Sequence, residues 1–274
     1  MVSRVYLDGK PVLGDIDLTG EVSGAQTTAN FLARLLRLLG DTRILLAFSS
    51  AGASLVESSR NQRVLTWSEG VGAFDSPPAR LGAGVQVEFN GSDEDGSIPD
   101  SADLVFGDGV VDEALSLFAL MYVDSTASAM DILAKHDDTL DKGLVFGMSS
   151  AGKVGLSLHD ESLGGIIGLE DSAALTVATW TLMLHTYDGT GVSSGCRVFK
   201  NGLSRATSDL VSGSYTAMEA NSQVVSLGYS LDNAVKVNRL NGRLALVGLV
   251  AKEVLEGEAW AMKELVNGYF GLSL

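Results

Sequence analysis

Short apolar segments of strand length recur along most of this chain, separated by turns rich in glycine, serine and asparagine. They fall at 44–48, 63–67, 85–89, 115–123, 144–148, 154–158, 174–185, 196–200, 223–227 and 243–249. Repeated segments of this kind, bounded by turn residues, predict the strands of a sandwich rather than the alternating strands and helices of an α/β fold. The 32 glycines set against 4 prolines supply such turns, and 46% hydrophobic with only 19% charged residues argues against disorder. At 274 residues the chain can hold one large sandwich with an appended segment.

Two stretches break the strand rhythm. Over 27–39 the spacing is helical: Thr27 or Thr28 can cap, Phe31, Leu32, Leu35, Leu36, Leu38 and Leu39 are apolar, Arg34 and Arg37 sit among them, and Gly40 stops the run. More than half of this helix's circumference is apolar, so it must bury against something. Two readings stay open. It packs across its own sandwich, or Phe31, Leu32, Leu35, Leu36 and Leu39 form an assembly contact with other copies or a partner. Residues 255–269 mix Trp260, Leu265, Val266 and Tyr269 with charged side chains and predict a short amphipathic C-terminal helix. Residues 2–24 alternate apolar and polar positions, broken at Asp8-Gly9, Leu13-Gly14 and Ser23-Gly24, and read as short strands or an arm. The expected organisation is an arm and helix over 1–43 and a sandwich over 44–274.

A formal net charge of -15 with a sequence pI near 4.5 repels phosphate backbones and anionic headgroups, so neither nucleic acid nor a membrane is an expected partner. The acidity either keeps the chain soluble or marks cation binding or docking on a basic surface. A single cysteine, Cys196, excludes an internal disulfide and any multi-cysteine metal site, and is expected to be a small strand residue. The opening residues lack the apolar core of a secretory signal and no uncharged apolar run reaches bilayer length, so a soluble product made in the cytoplasm is expected.

Catalytic patterns are sparse. A glycoside hydrolase on a sheet needs two carboxylates on one face, as in a Glu-x-Asp-x-x-Glu run, and no such run exists. Asp93-Glu94-Asp95, Asp137-Asp138, Asp160-Glu161 and Glu170-Asp171 are adjacent residues that would point to opposite faces of a strand, and they read as solvated turns. His136, His159 and His185 are isolated in sequence, and His185 is expected to be half-buried. There is no phosphate loop of the Gly-x-x-x-x-Gly-Lys-Ser type.

Several landmarks then fall in a telling order. Phe89-Asn90-Gly91 through Ser97-Ile98-Pro99 resembles the opening strand of laminin-G-like, concanavalin-A-like domains, and 115–123 is similar to their next apolar strand. Ile132-Leu133-Ala134-Lys135, Trp180 through Asp188-Gly189, Val198-Phe199-Lys200-Asn201-Gly202, and Leu240-Asn241-Gly242 with the following helix resemble the later landmarks of that family. The resemblance covers roughly 85–274. In it, Asn201-Gly202 is a turn, Trp180 fills the space between the sheets, and Trp260 belongs to the closing helix. The stretch 58–67 resembles a lead-in found ahead of such domains in structural proteins of tailed bacteriophages.

The resemblance implies a mainly β, concanavalin-A-like jelly-roll β-sandwich with an N-terminal arm and apolar helix and a short C-terminal helix. It implies a non-enzymatic virion structural protein, a capsid decoration or tail-associated component. Such a protein would assemble as a trimer or dimer through its N-terminal segment and dock on a capsid or tail protein. A carbohydrate-binding module and a glycoside hydrolase are the alternatives. Calcium is the one cofactor the resemblance suggests, at a rim where Asn90, Asp93, Asp95 and Asp100 supply hard oxygen ligands.

Overall fold

Strands of two different compositions build the two sheets, and the difference follows from what covers them. The structure is a computed structural model that describes residues 6–7, 10–11, 28–48, 56–57, 65–68 and 79–274. In chain order its elements are β1 (Tyr6–Leu7), β2 (Lys10–Pro11), α1 (Thr28–Leu39), β3 (Thr42–Ala47), β4 (Val56–Glu57), β5 (Thr66–Trp67), β6 (Ala79–Leu81), β7 (Gly84–Asn90), β8 (Gly96–Ile98) and β9 (Leu115–Val123). There follow β10 (Met130–Asp137), β11 (Asp141–Met148), β12 (Val154–Asp160), β13 (Gly165–Asp171), β14 (Thr181–Tyr187), β15 (Cys196–Lys200), β16 (Leu203–Ser204), β17 (Thr207–Asp209), β18 (Val225–Leu227), β19 (Ser230–Asp232), β20 (Val235–Val237), β21 (Asn241–Val250) and α2 (Glu256–Phe270).

Among the described residues one sheet has ten strands, ordered β17-β13-β12-β11-β10-β18-β8-β5 with β19 on β10 and β20 on β19. The other has nine, ordered β16-β15-β14-β9-β21-β3-β4, with β7 on β21 and β6 on β7. They pack face to face as the expected mainly β sandwich, and their principal pairings are antiparallel. No helix among the described residues is long and apolar enough to cross a membrane.

In β9, Leu117, Ala119 and Met121 enter the core between the sheets, while Phe118 and Leu120 enter a second cluster beneath the helices. Both faces are covered, so the strand is apolar at successive positions. In β12, Val154, Leu156 and Leu158 enter the inter-sheet core while Gly155 and Ser157 are partly exposed. That strand alternates because one face is open.

α1 lies on the nine-stranded sheet. Phe31, Leu32, Leu35 and Leu39 are buried with Leu45, Phe118 and Leu184 of that sheet and with Met262, Val266 and Phe270 of α2, and Leu36 is partly buried against the same cluster. The Phe31 ring stacks on Tyr269, centroids 4.2 Å apart and planes 6° from parallel. This corrects the assembly reading of these five residues: the helix buries its apolar face on its own chain, and a boundary at residue 43 would cut through that packing. Gly40 ends the helix as expected, with φ +76° and its N–H bonded to the Leu36 carbonyl at 2.9 Å.

Other expectations are corrected in detail. The segment 174–185 is strand only from Thr181 onward, and Trp180 packs partly buried on the outer, helix-side cluster, tilted against Tyr122 at 5.6 Å, rather than between the sheets. Trp260 is half-exposed on α2, with the Lys263 ammonium 5.7 Å from its ring. Residues 58–64, with most of the phage-like lead-in, and most of the arm lie outside the described residues.

The Asn201-Gly202 turn joins β15 to β16 with φ +53° and +74°, the pairing that tight hairpins favour. The Asn201 side chain accepts the Leu182 N–H at 2.9 Å, and a Cβ on Gly202 would meet Trp260 Cα at 3.1 Å. Gly202→Ala is therefore expected to cost about 1–2 kcal/mol through backbone strain and displacement of α2. An unchanged urea midpoint would refute this.

Candidate binding face

With α1 and α2 on the nine-stranded sheet, the other broad surface is the outer face of the ten-stranded sheet, partly exposed at Val145, Gly155, Ser157, Glu170 and Ser208 and buried at Asp131, Ala134, Gly147 and Gly168. Its inward rows, Leu133–Phe146–Leu156–Leu169 and Leu144–Leu158–Ile167, are core residues. Side chains alternate along each strand, so the intervening rows face out. One is Ala134–Val145–Ser157–Gly168 and the other Asp131–Gly147–Gly155–Glu170–Ser208. Apart from Val145 both rows are small or polar, and Asp131, Ala134, Gly147 and Gly168 within them are buried. Gly147 is needed for close approach between β10 and β11, since a Cβ there would fall 2.3 Å from Asp131 Oδ1.

At one end of this face the rings of His136 and His159 meet, centroids 4.4 Å apart. His136 Nδ1 accepts the Gly143 N–H at 3.2 Å, and its Nε2 is 3.7 Å from Asp138 Oδ1. His159 Nε2 lies 3.1 Å from Ser157 Oγ, while its buried Nδ1 has no partner among the described residues. The chain serine–histidine–histidine–aspartate suggests a nucleophile, but its order is wrong. A base needs its second nitrogen held by an acid, and here the acid sits on the other histidine. Burial, with His136 and Lys142 nearby, pushes His159 down to about 3. That is too weak a base to activate Ser157 near neutrality.

Other reactive-looking groups are bound to structural tasks. Burial pushes the Cys196 thiol up to about 12, far from a reactive thiolate. Asp112 accepts the Tyr187 and Tyr215 hydroxyls, each at 2.7 Å, and the Met218 N–H at 2.8 Å; burial raises its pKa and those of both tyrosines. Burial raises Asp131 to about 6, a fitting value for an acid. The carboxylate sharing its row, Glu170, is three strands away, about 14 Å at usual strand spacing, beyond the reach of a glycosidase pair. Glu170 is also paired with Lys153 at 3.0 Å.

The adjacent acids lie at turns and strand ends as expected, but one member of a pair is solvated while its neighbour is buried. Glu94, Asp95, Asp137, Asp160 and Asp171 are buried while Asp93, Asp138 and Glu161 are exposed. Asp171 takes the Ala173 N–H at 3.0 Å and Arg205 at 3.1 Å. Asp160 takes the Leu163 N–H at 2.9 Å and the Thr216 N–H at 2.8 Å. The sequence shows such residues as pairs but not which member is inside, because that depends on strand phase at the turn.

The four calcium candidates do not share a coordination sphere. Asp95 is held by Lys236 at 2.7 Å and Arg239 at 2.6 Å, Asp100 pairs with Lys135 at 3.0 Å, and Asn90 and Asp93 bond to each other at 2.8 Å. Among the described residues no three His, Cys, Asp or Glu side chains converge as a metal would require. Lys135 is buried and also donates to the Asn221 carbonyl at 2.5 Å and to its side-chain oxygen. The cavity beside it, about 10 Å³, has room for one water at most and for no larger ligand.

No family model matches this chain, and no curated protein does. Solved structures do match. The binding domain of Paraclostridial Mosquitocidal Protein 1 is 13% identical with a TM-score of 0.59, over 82% of this chain and 52% of that one. A botulinum neurotoxin type C structure, described with cell entry dependent on two ganglioside molecules, is 12% identical with a TM-score of 0.59, over 84% and 52%. The ligand-binding domain of botulinum neurotoxin D in complex with N-acetylneuraminic acid is 10% identical with a TM-score of 0.56, over 84% and 52%. The likeness establishes the lectin-like sandwich fold. The chain spans about half the length of these structures.

Proposed function

We propose that this chain is a non-enzymatic recognition module that offers the outer face of its ten-stranded sheet to a glycan, and that it serves as a structural component of a tailed-phage virion. One observation carries the recognition reading. Two helices pack on one sheet, while on the outer side of the other Val145, Gly155, Ser157, Glu170 and Ser208 stay partly exposed and no helix among the described residues packs over them. Ser157, Ser208 and the Lys153–Glu170 pair give that face hydroxyl, ammonium and carboxylate groups suited to sugar hydroxyls. The neighbours named for ganglioside and N-acetylneuraminic acid support sugar as the ligand class. The net charge of -15 favours neutral sugars over sialylated ones here.

The virion reading is supported by the order of sequence landmarks and by the lead-in at 58–67. As a virion part it would be made in the host cytoplasm and dock on a capsid or tail protein. A glycan array tests the first half: neutral glycans should bind the wild type, and Ser157→Trp, which fills the open face without touching the core, should weaken binding by at least about tenfold with an unchanged melting temperature. A blank array, or equal binding by the variant, would overturn the recognition face. Mass spectrometry of gradient-purified particles tests the second half, and absence of the chain from them would end it.

A further inference from the structure

A repeated turn carries an aliphatic residue at one end of the sandwich. In Asp108-Gly109-Val110-Val111, Asp137-Asp138-Thr139-Leu140 and Asp160-Glu161-Ser162-Leu163 the first aspartate accepts the N–H of the fourth residue, at 2.8, 3.0 and 2.9 Å. Each turn closes on a carboxylate and holds its aliphatic side chain outward. Val192, on the loop after β14, and Val235, at the tip of the β19–β20 hairpin, lie at the same end. The six tips, Val110, Val111, Leu140, Leu163, Val192 and Val235, are from 50% to 71% exposed.

The loops that carry them are bonded into one surface. Asp112 joins the loop before β9 to Tyr187, Tyr215 and Met218. The Glu219 carboxylate accepts the N–H groups of Glu161 and Ser162 at 2.7 and 3.0 Å. Asp137 accepts those of Asn233 and Ala234 at 2.9 and 2.7 Å. Isolated exposed aliphatics need no explanation, whereas a set of pre-ordered ones on one rigid end forms an interaction patch. Between the tips stand exposed carboxylates at Asp108, Glu113, Asp138, Glu161 and Asp232, and the nearby Lys142 is tied to Asp138 at 3.4 Å.

We propose that this end is a docking surface for a protein that presents an apolar patch rimmed by lysine and arginine. Charge decides the occupant. A second copy would set carboxylates against carboxylates, and an anionic bilayer would be repelled in the same way. The surface is distinct from the open sheet face, and the inference does not depend on the glycan or virion readings.

The test uses the full chain, with an 18-residue amphipathic leucine–lysine peptide as probe and a leucine–glutamate peptide as control. The triple variant Val111→Ser, Leu140→Ser, Leu163→Ser keeps every turn N–H and the net charge. The wild type should bind the lysine peptide, the variant at least about tenfold more weakly at an equal melting temperature, and the glutamate peptide not at all. Asp138→Asn with Glu161→Gln provides a second variant, which should weaken binding and flatten its salt dependence. Equal binding by wild type and triple variant would reduce the interaction to net charge and overturn the proposal. So would a wild-type dimer in sedimentation that the triple variant loses, or capture by phosphatidylcholine vesicles that the triple variant loses.

Discussion

Between pH 7 and pH 4 the fold should lose on the order of 4 kcal/mol of stability, and His185→Leu should remove most of that loss. His185 is fully buried on β14, in phase with the core residues Met183 and Tyr187, and its ring faces Phe146 at 5.4 Å. It is not half-buried as its place in the sequence suggested. Burial pushes it down to about 3, with Asp171 opposing only in part, and His159 lies at about the same value. Both imidazoles gain a proton near 6.5 in the unfolded chain and only near 3 in the folded one, so stability falls as the pH drops across that interval. His136, also lowered by burial, acts in the same direction.

Asp131 works against them. Burial raises it from 3.8 to about 6, so between those values the folded state takes the proton first and gains stability as the pH falls. Each pH unit of imbalance is worth about 1.4 kcal/mol per group, and two histidines outweigh one aspartate. With His185 replaced, His159 and Asp131 nearly cancel between pH 6 and 4, leaving a shallow slope from His136. The variant should also gain about 1–3 kcal/mol at pH 7, because His185 Nε2 is buried with no partner among the described residues. Urea unfolding at pH 7 and pH 4 measures both effects, and parallel pH profiles for wild type and variant would refute the account.

The sandwich was legible in the sequence because strand periodicity is a local signal. β9 and β15 have the bounds that their apolar runs suggested, and Gly40 and Asn201-Gly202 behave as their residue types require. β13 was missed: Gly165-Ile166-Ile167-Gly168 lacks a long apolar run, since glycines flank its two isoleucines and Glu170 follows on the outer side. Which surface buries α1 was not legible, because an amphipathic stripe reports that a partner exists and not which one. The open face was hidden for a related reason. Its partly exposed residues lie far apart in sequence, such as Val145, Ser157 and Ser208, and their plainness gives no motif.

Two of the acid-capped turns were visible as adjacent acids, Asp137-Asp138 and Asp160-Glu161, yet their structural weight was not. Asp137 shows why. It accepts four backbone N–H groups, from Thr139 at 3.1 Å, Leu140 at 3.0 Å, Asn233 at 2.9 Å and Ala234 at 2.7 Å. Two of these donors are nearly a hundred residues away, which no local pattern can announce.

Asp137→Ala should destabilise the chain by about 3–5 kcal/mol and release the β19–β20 hairpin first. Asn233 and Ala234 sit at φ +51° and +61°, a conformation that disfavours residues with a Cβ, and the Asp137 carboxylate holds them there. Losing it strands four N–H groups and loosens the hairpin, which carries Asn238 to Asp131 at 3.0 Å and Lys236 and Arg239 to Asp95. Hydrogen exchange over 230–240 should therefore rise more than the exchange of β9. Asp137→Asn, which keeps one acceptor oxygen, should lie between the alanine variant and the wild type. Burial alone would raise the Asp137 pKa, but the four donors outweigh it and hold the group below the usual carboxylate value. Its contribution is complete above the unfolded value of 3.8 and is lost as the pH falls through the lower folded one. That window opens only below 3.8, so at pH 5 the alanine variant should still show its full deficit; an Asp137→Ala chain with wild-type exchange over 230–240 would show that the hairpin is held by its other contacts.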